Sequence, residues 1–495
     1  MAQTADTDQT KGDVYFADKN YQQALQSFSK AISEGIKDNN KLAIIYFTRA
    51  LCYENLKQPD MAIEDYSKVI SLNPQYRNAY WNRGVLYDRK ESFQAALDDY
   101  TKAIALTQDN NSLLILYCNV AYDNAKLNQP QRALAADSTA MLLNPGYSRA
   151  YTLKGMIHLS LKKYPQAIDD YTTAINTDDR SNIKRLAYCY IDRADAKSKN
   201  NQLKDAINDY SYAINLDPQN GHAYWNRGGT YNKHGDYELV TSDYTKAMEF
   251  FAGNNIYLSK LYEDRSRNES GQSLLSLAIK DDSTAIALDP KNYLAYFSLA
   301  AVYTQNGDYQ QGIDIYKKTL KIEKNTDTLN GDLYFFIAND EYFLNEFDKV
   351  ISDCSMAITL NPDNFSAYFY RGKVYLKKLN KKEEATNDFN KVLSLDTSKK
   401  SVDYIFSLFY TGNSDMAIAI LQQSILNTTD NSRLLNDYYN MACLYSLMNK
   451  PDEANNNLKI AIDKGYSKKF IMADEDLDNI RNTDDYKNIM AGSSK

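Results

Sequence analysis

Two tryptophans, three histidines, five cysteines and nine prolines in 495 residues leave several classes of protein without their raw material. The histidines, His158, His222 and His234, stand in no metal-ligand spacing, and no HExxH occurs. The cysteines, Cys52, Cys118, Cys189, Cys354 and Cys443, are odd in number and form no CxxC, which argues against a disulfide scaffold or a zinc site. Each falls inside an expected helix, as a small buried apolar side chain does. No GxxxxGK[ST], GxGxxG or GxSxG is present, so no cofactor, metal or catalytic residue is expected and the chain reads as a non-enzyme. Adjacent acids such as Asp98-Asp99, Asp169-Asp170 and Asp281-Asp282 lie on expected helices, where neighbours point in different directions and make no acid–base dyad. No apolar run approaches the roughly 18–20 residues of a membrane span. A net charge of −7 speaks against nonspecific nucleic-acid binding. As written, residues 1–8 lack the apolar centre of a secretory leader. That implies a cytoplasmic location, or the bacterial periplasm if an upstream signal peptide has been trimmed.

What the chain has in abundance is tyrosine, 42 residues of it, on a background 43% hydrophobic and 24% charged. That balance suits a folded protein, and the length is too great for one ordinary core. A repeating pattern resolves the difficulty. A small residue is followed by a large one four later and another small one three after that. The clearest copies are Ala24/Phe28/Ala31, Ala96/Tyr100/Ala103, Ala167/Tyr171/Ala174 and Ala206/Tyr210/Ala213. Weaker copies centre on Ala62, Ala133, Val240, Ala278, Gly312, Val350, Ala385, Ala417 and Ala454. Successive anchors stand roughly 35 residues apart, the length of a two-helix repeat. Twelve residues upstream of most anchors stands a second small residue with an aromatic four before it, as in Tyr80/Gly84, Tyr151/Gly155, Tyr224/Gly228 and Tyr368/Gly372. Spacings of three and four mark one helix face, so each copy is a pair of amphipathic helices. Glycine inside an exposed helix costs about 1 kcal/mol relative to alanine, so its recurrence at one phase implies close helix packing.

This helix–turn–helix unit of about 34 residues resembles the tetratricopeptide repeat, in the manner of bacterial multi-repeat arrays. The resemblance covers residues 12–464. It implies an all-α, right-handed α-solenoid of about thirteen hairpins. Copies centred on Ala278, Ala417 and Ala454 depart most: the first has Ser266 where Gly or Ala is expected, and the second is shortened. Residues 1–11 are polar and expected to be disordered. Residues 465–495 are expected to form short capping helices, with Leu477, Ile480, Tyr486 and Ile489 covering the last hairpin.

Two further regularities appear. Pro74, Pro145, Pro218, Pro290 and Pro362 follow Asn or Asp in every second copy, almost evenly spaced, each a sharp stop after a second helix. Alternate copies carry polar joints instead: Asp38-Asn39-Asn40, Asp109-Asn110-Asn111, Asp178-Asp179-Arg180 and Asn325-Thr326-Asp327. The unit is therefore a pair of hairpins with a period of about 72 residues, twice that of a single repeat. Tight and loose joints should alternate along it. Six copies also carry Arg beside the packed small residue and Asp beside the second-helix large residue: Arg49/Asp65, Arg83/Asp99, Arg193/Asp209, Arg227/Asp243, Arg265/Asp281 and Arg371/Asp388. These spacings predict a ladder of Arg–carboxylate pairs. Asp353, opposite Ile337, breaks the rule.

The resemblance implies a concave groove lined by first helices that takes a protein or peptide partner. The position after the recurring Tyr reads Phe47, Trp81, Trp225, Phe297, Phe335 and Phe369, and Asn82 and Asn226 follow the tryptophans. Aromatic anchors beside polar backbone-readers are what a peptide groove needs, whereas packing against the preceding repeat would give the same pattern. The Asn, Lys, Asn, Lys, Arg set with which some members grip acidic C-termini cannot be placed. The expected function is a scaffold or adaptor. A structural subunit using convex or edge surfaces, and a co-chaperone, are the alternatives.

Overall fold

The computed structural model of the chain describes residues 2–322 and 326–492. It is all helical, with no strand among the described residues. It divides into two compact units, Met1–Ala252 and Gly253–Lys495.

Unit 1 holds seven hairpins. They are α1 (Ala2–Ala17) with α2 (Tyr21–Ser33), α3 (Asn39–Asn55) with α4 (Pro59–Leu72), and α5 (Arg77–Arg89) with α6 (Phe93–Ala105). Next come α7 (Asn110–Lys126) with α8 (Pro130–Leu143), and α9 (Ser148–Ser160) with α10 (Tyr164–Thr177). The last two are α11 (Ile183–Lys199) with α12 (Leu203–Leu216), and α13 (Gly221–His234) with α14 (Tyr237–Phe250).

Unit 2 holds six. They are α15 (Asn255–Gly271) with α16 (Leu275–Leu288), α17 (Tyr293–Asn306) with α18 (Tyr309–Thr319), and α19 (Asp327–Phe343) with α20 (Phe347–Leu360). Then follow α21 (Phe365–Lys377) with α22 (Lys382–Leu395), α23 (Val402–Tyr410) with α24 (Ser414–Asn427), and α25 (Asn431–Leu447) with α26 (Pro451–Asp463). A short α27 (Lys468–Ala473), a 3-10 turn Glu475–Leu477 and α28 (Asp484–Ala491) form the C-terminal cap.

Each hairpin turns on one residue in the left-handed region, from Lys19 at φ +60° to Asn449 at φ +56°. Only Gly235, Gly307 and Gly412 use glycine there. The backbone closes around it as a Schellman-type cap: Gln58 N donates to Tyr53 O and Gln129 N to Asn124 O.

The core repeats with the sequence. The second-helix aromatics Tyr66, Tyr100, Tyr171 and Tyr210 are fully buried, each against the small residue of its first helix. A methyl built on Gly84 would stand 2.8 Å from the Tyr100 ring, and on Gly155 2.8 Å from Tyr171. Helix approach at these points therefore requires glycine. In two hairpins the aromatic is replaced by Asp137 and Asp282, which are as buried as the rings they stand for.

The predicted ladder is present. In all six pairs the arginine donates through Nε and Nη2 to the two carboxylate oxygens, at 2.5 to 2.9 Å. Several arginines also reach the preceding hairpin through Nη1: Arg49 to Ser29, Arg83 to Ser67, Arg227 to Ser211 and Arg371 to Ser355. First-helix tyrosines lie over the guanidinium face, as Tyr224 and Tyr231 do for Arg227, which accounts for their half-buried state. A seventh rung joins Lys154 to Asp170 at 3.3 Å, with His158 Nδ1 2.6 Å from the same carboxylate. Asp353, lacking an arginine, lies beside Glu341, and burial raises both.

The pairing of hairpins shows in the joints and in the helices that follow them. Each Asx-Pro joint holds four residues, as 73–76 after α4 does, whereas polar joints vary, from residues 106–109 after α6 to residues 178–182 after α10. At Asx-Pro joints the Asx is extended, as the following proline demands, with Asn73 at φ −141° and ψ 90°. Its Oδ1 accepts from Gln75 N at 3.0 Å. At polar joints an Asx or Thr caps a new helix: Asp109 accepts from Ser112 N, Asn182 from Arg185 N and Thr326 from Leu329 N. Asn325 of that last joint lies outside the described residues. The helices after polar joints begin one turn earlier, at Asn110 well before Tyr117 in α7 but at Arg77 just before Tyr80 in α5. From α3 to α21 the first helices thus alternate between long ones of 17 residues and short ones of 13 or 14 residues.

At the ends the structure departs from one expectation and extends another. Residues 2–11 are not an irregular tail: helix α1 begins at Ala2, and Asp8 is buried with Lys30 Nζ at 2.8 Å, while Met1 lies outside the described residues. The cap buries Leu477, Ile480 and Tyr486, with Ile489 half-buried, but its contacts extend beyond the last hairpin.

Candidate partner-binding faces

In unit 1 the candidate residues sit on α3, α5 and α13, fixed by the hairpins behind them. Phe47 is half-buried, its ring 5.5 Å from Tyr66 and 5.0 Å from Tyr76. Trp81 is half-buried against the cluster of Ala96, Tyr100 and Leu116, with the Arg77 guanidinium 5.8 Å over its ring. Trp225 is half-buried between His222 and Phe251, at centroid distances of 6.3 and 6.0 Å.

The asparagines are engaged rather than free. Asn82 Nδ2 donates to the Tyr66 hydroxyl at 3.1 Å, and that hydroxyl donates to Glu54. Asn226 Nδ2 donates to Asp195 at 3.1 Å, which also accepts from Tyr210. Each asparagine thereby pins its first helix to the hairpin before it. Burial outweighs these hydrogen bonds and raises the Asp195 carboxyl.

In unit 2 Phe297 packs on Tyr316 and Phe336, Phe335 on Phe336 and Tyr370, and Phe369 on Tyr370 and Phe389. Phe297 and Phe335 are half-buried, whereas Phe369 is only 5% exposed. The phase read from the sequence holds, yet each ring is seated against neighbouring side chains rather than standing free.

Unit 2 carries a feature that the repeat pattern does not reveal. The cap doubles back so that Asp474, Glu475 and Asp476 meet three first helices. Glu475 accepts from the Tyr342 hydroxyl of α19 and pairs with Lys377 at 3.4 Å and Lys378 at 2.6 Å. Asp476 pairs with Lys377 and, at 3.7 Å, with Lys373. Asp474 accepts from the Tyr439 hydroxyl of α25 at 2.5 Å, with Cys443 Sγ 3.8 Å away. Arg481 holds the turn by donating to the carbonyls of Met472 and Asp474 at 2.6 Å each. Burial opposes the charge on Glu475, but the Lys378 and Tyr342 hydrogen bonds and the nearby lysines hold its carboxyl down at about 2. The only sequence signals were a basic run, Lys373, Lys377 and Lys378, and an acidic one far downstream.

Comparison with known proteins bears on the family. Profiles described as "Tetratricopeptide repeat" match residues 43–76, 78–110, 148–180, 283–314 and 365–399. One described as "TPR repeat" matches residues 194–235. The matches recur at the spacing of the hairpins. The chain is a tetratricopeptide repeat protein. Human tetratricopeptide repeat protein 6 is 30% identical over 312 residues, 61% of this chain and 56% of that one. The DnaJ homolog subfamily C member 7 homolog of Dictyostelium discoideum is 22% identical over 399 residues, 78% of this chain and 61% of that one. The chain thus spans somewhat over half the length of these two relatives. The crystal structure of yeast Tom70 is similar at 18% identity with a TM-score of 0.41, covering 88% of this chain and 94% of that one. As a tetratricopeptide repeat protein the chain has the make-up of a protein-interaction scaffold. No helix among its described residues is long and apolar enough to cross a membrane.

Proposed function

We propose that this chain is a non-catalytic scaffold or adaptor that holds a protein or peptide partner in a concave groove along its first helices. One observation carries the reading: Phe47, Trp81 and Trp225 are half-buried, so each ring has its body fixed by packing and an edge left open. An anchor held in place before binding loses little conformational entropy on contact. Phe297 and Phe335 offer the same edge, and Phe369 supports them from beneath. Asn82 and Asn226 act as positioning residues for their helices. Capture of partners from the native source tests this, comparing wild type with Trp81→Ala/Trp225→Ala, both verified as folded by circular dichroism. Loss of a specific partner is the expected result. An unchanged partner set overturns it.

The structural-subunit alternative is favoured by Leu142 and Leu426 on second helices, 83% and 84% exposed. It expects partner loss in Leu142→Lys or Leu426→Lys with the tryptophans intact. No residue set favours the co-chaperone alternative.

A further inference from the structure

The cap does more than hide the end of an array. Ile471, Leu477 and Ile480 would suffice for that, and their place would be on the last hairpin. Instead three carboxylates are brought to α19, α21 and α25, where lysine and tyrosine hydroxyl groups receive them. Lys373 and Lys377 lie one turn apart at the end of α21 and Lys378 follows as its C-cap, and like charges so spaced repel one another. Burial works against Lys377 in particular, and Asp476 and Glu475 keep it charged. This stretch of first-helix face therefore calls for an anionic occupant. The occupant is joined to α26 through Gly465, in a conformation open to glycine at φ +106°. Departure of the acidic turn would also withdraw Ile471, Leu477 and Ile480 from the core cluster they share with Tyr439 and Leu458, so the turn would move together with the cap.

We infer that the first-helix face of unit 2 is a receptor for acid-rich turns, plugged in cis by Asp474-Glu475-Asp476 and opened when an acidic segment of a protein partner replaces the plug. The face reads side-chain carboxylates of an internal turn, followed by an aliphatic residue in the place of Leu477. A tethered plug acts at a high effective concentration, so a partner in solution competes at a disadvantage until the plug is weakened. This deepens the groove reading above and rests on it for the nature of the partner, but it concerns residues which that reading does not use.

The test uses the full chain and a fluorescein-labelled synthetic peptide of residues 470–486. Fluorescence polarisation should show weak binding to wild type and at least ten-fold tighter binding to Glu475→Gln/Asp476→Asn. Adding Lys377→Gln to that variant should reverse the gain, and a peptide with its acids amidated should not bind. A folded plug variant that binds no tighter than wild type, or whose gain ignores Lys377, overturns the inference. If the plug variant does not fold, hydrogen exchange on wild type decides. Saturating peptide should speed exchange across residues 468–491, and unchanged exchange there overturns the inference. Failure of these arms with retained Trp81- and Trp225-dependent capture would leave the groove reading of unit 1 standing.

Discussion

Arg83 meets Asp99 edge-on, its Nε and Nη2 each 2.8 Å from one carboxylate oxygen, while Nη1 crosses to Ser67 of the hairpin before. The two ends of the pair respond differently. Hydrogen bonds to Asp99 raise Arg83, whereas burial outweighs the arginine at Asp99 and raises its carboxyl. A rung of this kind fixes register more than it adds net stability, because both charges leave water to form it.

Breaking one end of the rung should therefore cost more than removing it. Asp99→Ala strands a half-buried guanidinium and is expected to destabilise by about 3 kcal/mol. Arg83→Leu/Asp99→Leu should lose clearly less than the sum of its single variants. A double-mutant cycle by urea denaturation measures this, and additive losses would count against the rung as a coupled unit.

Neighbouring glycines should answer alanine in opposite directions. A methyl on Gly228 would lie 2.7 Å from the Tyr244 ring, so Gly228→Ala is expected to cost about 1–3 kcal/mol. At Gly229 the closest atom is the Tyr244 hydroxyl at 3.7 Å, and Gly229→Ala should gain up to about 1 kcal/mol from helix propensity. Thermal melts of the two variants check the sign.

The hairpin turns hold easy stability. Lys162 sits at φ +57° in a position that costs a side chain about 1 kcal/mol. Lys162→Gly relieves that cost and should raise the melting temperature, offset in part by the greater freedom of glycine in the unfolded chain. The same change at Glu91 should behave alike, whereas at Asn201 it should gain less, because asparagine tolerates this region.

Stability should fall from pH 5 to pH 8. Burial pushes Asp137 up to about 7, tempered by Lys154 and reinforced by Asp170. It pushes Asp282 up to about 8, tempered by Ser266 and Ser298 and reinforced by Glu263 and Asp281. Both folded values lie above the unfolded one, so the folded chain holds these protons more tightly. Their contribution is full below about pH 4 and is lost through pH 7 and 8, at about 1.4 kcal/mol per pH unit per group. Asp123, facing Asp88 and raised to about 8, acts in the same sense. Glu475 acts in the opposite sense, but its contribution is lost only as pH falls through about 2. Asp137→Asn/Asp282→Asn should flatten the profile and be the more stable form at pH 8, as melts at each pH will record.

Legibility in the sequence followed the range of the interaction. The six arginine rungs could be read because both partners recur at one fixed offset, with a single-residue slip at Arg371 and Asp388. The rung of Lys154 and Asp170 escaped, since lysine with histidine support does not match the arginine pattern. Asp137 and Asp282 were hidden by flanking alanines that fit the repeat. The aromatic row was placed correctly along the helices, but its exposure depends on the following hairpin, which no local spacing encodes. The start of α1, ahead of residue 12, was missed because the polar residues that suggested disorder, Asp8 above all, find partners on α2. Glu475 and Asp476 of the plug join residues 97 to 133 positions away, and no periodicity links them.

The alternation of first-helix length constrains how such an array can change its copy number. A turn of helix is about 5.4 Å, so within each unit every second first helix projects beyond its neighbours and the edge is notched. Loss or gain of one hairpin would set two long or two short helices side by side, and the polar joint and the Asx-Pro joint would fall out of turn. Loss or gain of two leaves every contact with its accustomed neighbour. The chain is in that sense written in words of two syllables, and its insertions and deletions should be counted in pairs.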